Sequence, residues 1–286
     1  MRNKKSSNKS IIILSIVWIG LLMPVFFSGI ATVDSSTFRN LSSKGFKSLD
    51  LYAEGNVLHM LYAAPADDEK PVELYYARSD DGGKRWGFAV QIDTGADPPH
   101  HPHHGSSPQI AVSGDRVVVI WTAEGSGFRG RGPMASAIST DRGLHWKAGP
   151  APSAIANRGG QAFHDIIADE KGIFHNVWLD KRTGNKEKGL YYTRSENGGR
   201  TWTETAVIDV ETCACCWNSL AQGRHGSLYV LYRDAKPRDM ALAKVTQDGL
   251  KTVGGTEWNR LGHVGAFDWR FDGCPHVGGG LQVVDT

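Results

Sequence analysis

The chain has 286 residues, with 34 Gly, 12 Pro, 9 Trp, 8 Tyr and 10 Phe. Its 32 basic and 30 acidic residues leave a formal charge of +2, which argues against a general nucleic-acid binder, since such proteins carry a basic excess or stripe. At 40% hydrophobic and 22% charged it is not a disordered chain, and its length suits one large domain or two modest ones.

The chain begins with the layout of a targeting segment. Arg2, Lys4, Lys5 and Lys9 form a basic head, and an apolar run from Ile11 to Phe27 follows, interrupted only by Ser15, Gly20 and Pro24. Ser28-Gly29-Ile30-Ala31 then offers small residues for cleavage after Ala31. This pattern predicts a signal peptide over 1–31 and a secreted or periplasmic protein. Left uncleaved, the same run would be an N-terminal anchor at the lower length limit for a bilayer span. Residues 32–47 read as a linker and 48–286 as the folded part. It holds no second apolar run of membrane length, and no membrane contact is expected beyond the possible anchor.

The folded part is a repeat. Ser79-Asp80-Asp81-Gly82-Gly83-Lys84-Arg85-Trp86, Ser139-Thr140-Asp141-Arg142-Gly143-Leu144-His145-Trp146 and Ser195-Glu196-Asn197-Gly198-Gly199-Arg200-Thr201-Trp202 align without gaps. Ser79, Ser139 and Ser195 are 60 and 56 residues apart. A worn fourth copy, Thr246-Gln247-Asp248-Gly249, lacks the tryptophan. The pattern describes a hairpin turn. Asp81, Asp141 and Asn197 accept backbone N–H groups, Gly83, Gly143 and Gly199 supply positive φ, and Trp86, Trp146 and Trp202 close the turn between sheets.

Strands of matching pattern flank each turn. The second strand of each unit is Val57–Tyr62, Val117–Trp121, Ile173–Trp178 and Leu228–Tyr232, and the third is Leu74–Ala77, Met134–Ala137, Leu190–Thr193 and Met240–Ala243. The fourth follows the turn, as in Phe88–Ile92 and Ala206–Ile208. Four short strands per 50–60 residues predict an all-β fold, a β-propeller of four-stranded blades. Four units are visible, and Leu281–Val284 reads as the first strand of a fifth. Open sheet edges are avoided in proteins, so the ring is expected to close through further residues or by pairing with another chain.

The three octapeptides resemble the Asp-box, or BNR repeat, of the sialidase superfamily, and the resemblance covers about 240 residues from roughly Ser48 onward. It implies a six-bladed propeller in which the boxes are structural and sit away from the active site. Sialidases use an arginine triad, a Tyr nucleophile activated by Glu, and an Asp acid/base. The family's Phe-Arg-Ile-Pro motif is missing here. Asp97 and Asp165 stand where an acid/base would be placed.

In a propeller the innermost strands all begin on one face, termed here the inlet face, and the loops between second and third strands open there too. The second unit begins with Asp97-Pro98-Pro99-His100-His101-Pro102-His103-His104. The third begins at His164 and Asp165, the fourth at Cys213-Ala214-Cys215-Cys216, and the fifth at Gly273-Cys274-Pro275-His276. All 4 cysteines and six of the 11 histidines thus converge on adjacent blade starts. Cys213 and Cys215, two apart, would point the same way in an extended segment, as would Cys274 and His276. Thiolate and imidazole suit copper or zinc, so Cys213, Cys215, Cys216, Cys274 and His276 form a candidate metal set, with His100, His101, His103, His104 and His164 as weaker ligands. The competing reading is a disulfide across the blades that leaves two thiols. The C-x-C-C and G-C-P-H runs also resemble a subset of exported bacterial sialidase-like proteins.

Arg129, Arg131, Arg182 and Arg238 fall in loops on the same face, where guanidinium groups would hold a carboxylate or phosphate. The expected function is an extracytoplasmic binding module that takes copper, zinc, a carbohydrate or another anionic small ligand. Two other readings are an exo-α-sialidase and a protein–protein scaffold.

Overall fold

The computed structural model describes residues 45–65, 72–93, 95, 97–103, 105–153, 160–181, 188–246, 248–251 and 256–284. The expected signal peptide and most of the linker lie outside them, as do His104 and Arg182. The protein is an all-β propeller of four antiparallel four-stranded sheets, each a simple meander. Blade 1 holds β1 (Ser48–Glu54), β2 (Val57–Pro65), β3 (Val72–Ser79) and β4 (Val90–Gln91). Blade 2 holds β5 (Gln109–Ser113), β6 (Arg116–Glu124), β7 (Arg131–Ser139) and β8 (Lys147–Gly149). Blade 3 holds β9 (Ala162–Ala168), β10 (Phe174–Asp180), β11 (Lys188–Ser195) and β12 (Ala206–Thr212). Blade 4 holds β13 (Ser219–Gln222), β14 (Leu228–Arg233), β15 (Met240–Val245) and β16 (Asn259–Val264). Among the described residues the helical turns are 3-10 turns of three residues, and no helix is long and apolar enough to cross a membrane. The expected strand over 281–284 is not formed; that stretch runs without ladder hydrogen bonds.

The middle strands β6 and β10 are buried on both faces, which explains their unbroken apolar runs. Their side chains fill the seams between neighbouring sheets. One cluster joins Leu61, Leu74 and Tyr76 of blade 1 to Val117, Val119 and Trp121 of blade 2. Another joins Val118 and Ile120 of blade 2 to Phe174 and Trp178 of blade 3. A third joins Val177, Leu190 and Tyr192 of blade 3 to Val230, Tyr232 and Ala243 of blade 4.

The Asp-box turns close as their residue types require. In each, the serine Oγ accepts the N–H of the glycine four residues on: Gly83 to Ser79 at 2.9 Å, Gly143 to Ser139 at 2.9 Å, and Gly199 to Ser195 at 2.8 Å. The Oδ1 of Asp81, Asp141 and Asn197 accepts the N–H of Arg85, His145 and Thr201 at 2.8–2.9 Å. The three glycines have φ of +85°, +84° and +83°. Two of them lie against the preceding blade: a Cβ on Gly143 would stand 2.1 Å from the Tyr76 ring of blade 1, and one on Gly199 would stand 2.7 Å from Ile138 of blade 2.

The Tyr76 ring is held from behind. His59 Nδ1 lies 2.8 Å from Tyr76 Oη, and Glu54 lies 3.5 Å from His59 Nε2. Blade 3 repeats the device with Asp169, His175 and Tyr192, at 3.4 and 2.8 Å. Tyr76 meets Trp146 edge-on at 5.5 Å, and Tyr192 meets Trp258 edge-on at 5.2 Å. Trp258 therefore supplies the ring that the fourth box lacks in sequence, from nine residues beyond Gly249 rather than three.

The two kinds of turn glycine should respond differently to substitution. Gly143→Ala is expected to cost about 2–4 kcal/mol in chemical denaturation, from positive φ and the Tyr76 collision together. Gly114→Ala, at φ +60° with nothing within 4 Å of the added methyl, should cost only about 1 kcal/mol. Equal losses would show that Gly143 is needed for its backbone alone.

Candidate functional site on the inlet face

The innermost strands β1, β5, β9 and β13 carry Asp50, Gln109, Asp165 and Ser219 at matching register, opposite Leu61, Ile120, Val177 and Leu231. Two of these side chains bind the next blade. Asp50 Oδ2 accepts the Ile110 N–H at 2.8 Å, and Asp165 Oδ2 accepts the Leu220 N–H at 2.6 Å. Burial raises their pKa values to about 6 and about 7. Asp165 is thus a latch between blades 3 and 4, and no substrate role is needed to explain it. Asp97 is exposed, and its backbone carbonyl accepts the Trp121 indole N–H at 2.9 Å.

The segment before β13 does not run extended as expected. Ala214 and Cys215 form a turn, so Cys213 meets Cys216 rather than aligning with Cys215. The Cys213 and Cys216 Sγ atoms are 3.0 Å apart, and Cys213 Sγ is 3.8 Å from Cys215 Sγ. Cys215 forms a disulfide with Cys274, with Cα atoms 6.1 Å apart, and Cys213 and Cys216 are free and buried. The Cys216 thiol and the Arg238 guanidinium, whose Nη1 donates to Cys213 Sγ at 3.2 Å, hold the Cys213 thiol well below its usual range. Its hydrogen bond to Cys213, together with burial, pushes Cys216 the other way. His276 turns back, with Nδ1 2.9 Å from the Cys274 carbonyl oxygen. Sulfur and imidazole atoms fall into two close groups, Cys213-Cys215-Cys216 and Cys215-Cys274-His276, each within 4.8 Å.

Among the described residues, the other histidines join neither group. His100 Nε2 donates to the Arg129 carbonyl at 2.8 Å, Arg129 Nη1 lies 3.3 Å from His103 Nε2, and His101 Nδ1 lies 3.1 Å from the Pro102 carbonyl. His164 is buried on β9, and desolvation pushes its pKa down to about 4. Of the arginines, Arg129 is exposed and Arg131 is buried. Arg131 and Lys188 stand over the Phe163 ring at 5.6 and 5.4 Å. Burial first, and Arg131 second, push Lys188 down to about 8. Arg238 is the partner of Cys213 and also forms part of a cavity.

That cavity, about 560 Å³, is lined by the β14–β15 loop (Lys236, Pro237, Arg238) and by Asp268, Trp269, Arg270 and Phe271. The Trp269 and Phe271 rings stack at 5.7 Å, and Arg233 lies 4.6 Å over Trp269. Asp239 anchors this wall. Its carboxylate accepts the Trp269 and Asp268 N–H groups, both at 3.0 Å, and these bonds hold its pKa low. Lys188, Asp239, Trp269 and Phe271 were not among the residues expected from sequence. The alternation Asp268-Trp269-Arg270-Phe271-Asp272 was the available signal.

No family model and no curated protein matches the chain. Solved structures do. The chain is similar to the intramolecular trans-sialidase from Ruminococcus gnavus, solved in complex with oseltamivir carboxylate, with a TM-score of 0.52 and 14% identity over 76% of this chain and 70% of that one. It is also similar to the leech intramolecular trans-sialidase complexed with 2,7-anhydro-Neu5Ac, with a TM-score of 0.52 and 12% identity over 78% of this chain. The chain spans 51% of the leech protein's length. At these identities the likeness is one of fold, a sialidase-like propeller.

The latch carries a pH signature. The folded pKa of Asp165 is raised, so its contribution is fullest below the ordinary carboxyl range and is lost as pH rises through about 7. Wild-type stability should therefore fall between about pH 4 and about pH 7 more steeply than that of Asp165→Asn, which keeps an acceptor oxygen for Leu220. Identical slopes would show a carboxyl that ionises freely in the folded state.

Proposed function

We propose that this sialidase-like propeller is an extracytoplasmic binding module whose inlet face takes a small acidic carbohydrate. The observation that carries the reading is the cavity beside the β14–β15 loop, which combines Lys236, Arg238 and Arg270 with the stacked Trp269 and Phe271 rings. Guanidinium forks suit a carboxylate, and flat aromatic faces suit the apolar side of a sugar ring. Asp268 pairs with Arg270 at 3.1 Å and orients its fork. Arg131 and Lys188 extend the basic character of the same face toward blades 2 and 3. The basic and apolar pattern before residue 32, read as a signal peptide, supports an extracytoplasmic location.

Hydrolysis as an exo-α-sialidase is the weaker reading. A tyrosine nucleophile needs its pKa lowered. Burial instead raises Tyr52, Tyr62, Tyr75, Tyr76, Tyr192 and Tyr232, so none of these six is poised for that role. Asp165, one of the two acid/base candidates, accepts the Leu220 N–H.

Calorimetry with N-acetylneuraminic acid, its methyl ester and a neutral hexose tests the proposal. The free acid should bind and the other two should bind at least about tenfold more weakly, which is the loss of roughly one charge-assisted hydrogen bond. Arg270→Gln and Trp269→Ala should each weaken the acid by a similar factor. Binding that ignores both substitutions would overturn the assignment, and turnover of a fluorogenic sialoside would move the protein to the hydrolases.

A further inference from the structure

Four sulfurs and an imidazole fall into two adjacent groups of three, and one sulfur belongs to both. Cys215 Sγ lies within 4.8 Å of the Cys213 and Cys216 sulfurs and within 4.8 Å of the Cys274 sulfur and a His276 nitrogen. A staple between blade 4 and the segment after β16 needs only Cys215 and Cys274. Two more thiols stand against it in a buried turn, in mutual contact at 3.0 Å. Cationic groups surround them: Arg238 Nη1 lies 3.2 Å from Cys213, and Lys188 interacts with the same sulfur. Such a shell offsets the negative charge that accumulates when several thiolates share one ion.

We infer that the disulfide is the closed state of a metal site: reduction of Cys215–Cys274 frees a four-thiol, one-imidazole set that binds a single thiophilic d¹⁰ cation, Cu(I) or Zn(II). This reading is independent of the acidic-carbohydrate cavity. Access sets the order of events. Cys274 is exposed while Cys215 is buried. A dithiol reductant therefore attacks Cys274 Sγ, the Cys215 thiolate leaves, and the second thiol of the reductant resolves the mixed disulfide and releases the Cys274 thiolate. The protein disulfide gains two electrons and two protons, and the dithiol becomes a disulfide. Metal then displaces the thiol protons. Thiolates and an imidazole favour these ions over Mg(II) or Ca(II), which take oxygen ligands.

The test uses the full chain in two forms, as isolated without reductant and after dithiol treatment with the reductant removed under anaerobic conditions. Thiols are counted by a chromogenic disulfide reagent under denaturing conditions, and Zn(II) or Cu(I) is titrated against a chromophoric chelator. The count should rise from the two free thiols to all 4 cysteines. The reduced form should take one ion at least about a hundredfold more tightly than the oxidised form. Cys213→Ser and Cys216→Ser, which keep the bridge, should each lower the reduced form's affinity by about tenfold or more, and His276→Ala should weaken it less. His100→Ala with His103→Ala should leave it unchanged. Near-UV circular dichroism is read alongside. Equal uptake in the two forms, no uptake by a folded four-thiol form, or dependence on the 100–103 histidines would overturn the inference. So would loss of tertiary signal on reduction, which would make the bridge a plain staple.

Discussion

The angle between neighbouring blades is set by side chains packed against turns, and every feature of the inlet face inherits that angle. Tyr76 meets Gly143 and Trp146 of the next blade, and Tyr192 meets Trp258. Between blades 2 and 3 the aliphatic side chains of Ile138 and Val118 take the same place against Gly199. Edge-on aromatic pairs contribute about 0.5–1.5 kcal/mol beyond the area they bury. Their larger effect is geometric. A close-packed interface tolerates little sliding, so fixing the outer seam also fixes where β5, β9 and β13 begin. The carboxylate, histidine and tyrosine sets in blades 1 and 3 look catalytic in isolation. Their placement behind the seam rings gives them a positioning task instead.

The two ends of the propeller obey different physics. At the Asp-box end, serine and aspartate oxygens satisfy turn N–H groups and leave little unspent chemistry. At the inlet end, groups that are costly to bury are gathered together: Lys188, Arg131 and the thiols are buried, and Asp165 and Arg238 are partly so. Two of them have a compensating neighbour: Leu220 N–H serves Asp165, and Arg238 serves Cys213. Sites that combine desolvation with a specific charged partner are where function is usually housed.

Much of the fold was legible in the sequence because it depends on local rules. Serine, acidic residue, glycine and tryptophan at fixed spacing encode one turn, and three copies at blade spacing encode the architecture. The convergence of the cysteines was legible for the same reason, since blade period converts sequence distance into angular position. What escaped depends on contacts that no local rule encodes. The turn at Ala214 and Cys215 reverses the expected alternation and pairs Cys213 with Cys216. Trp258 replaces the missing box tryptophan from a different offset, which only the packing on Tyr192 reveals. The aromatic wall at Trp269 and Phe271 is held by Asp239, 30 residues earlier than Trp269 in the chain. The bond from Asp165 to the Leu220 N–H of the next blade is another such contact.

The central claim is that ligand chemistry belongs to the inlet face and that the Asp-box face is structural. Amide hydrogen exchange of the full chain, with and without saturating N-acetylneuraminic acid, tests it most directly. Protection is expected only in the β14–β15 loop around 234–239 and in 267–276, with the turns at 79–86, 139–146 and 195–202 unchanged. Protection centred on those turns, or spread evenly over all four blades, would contradict it.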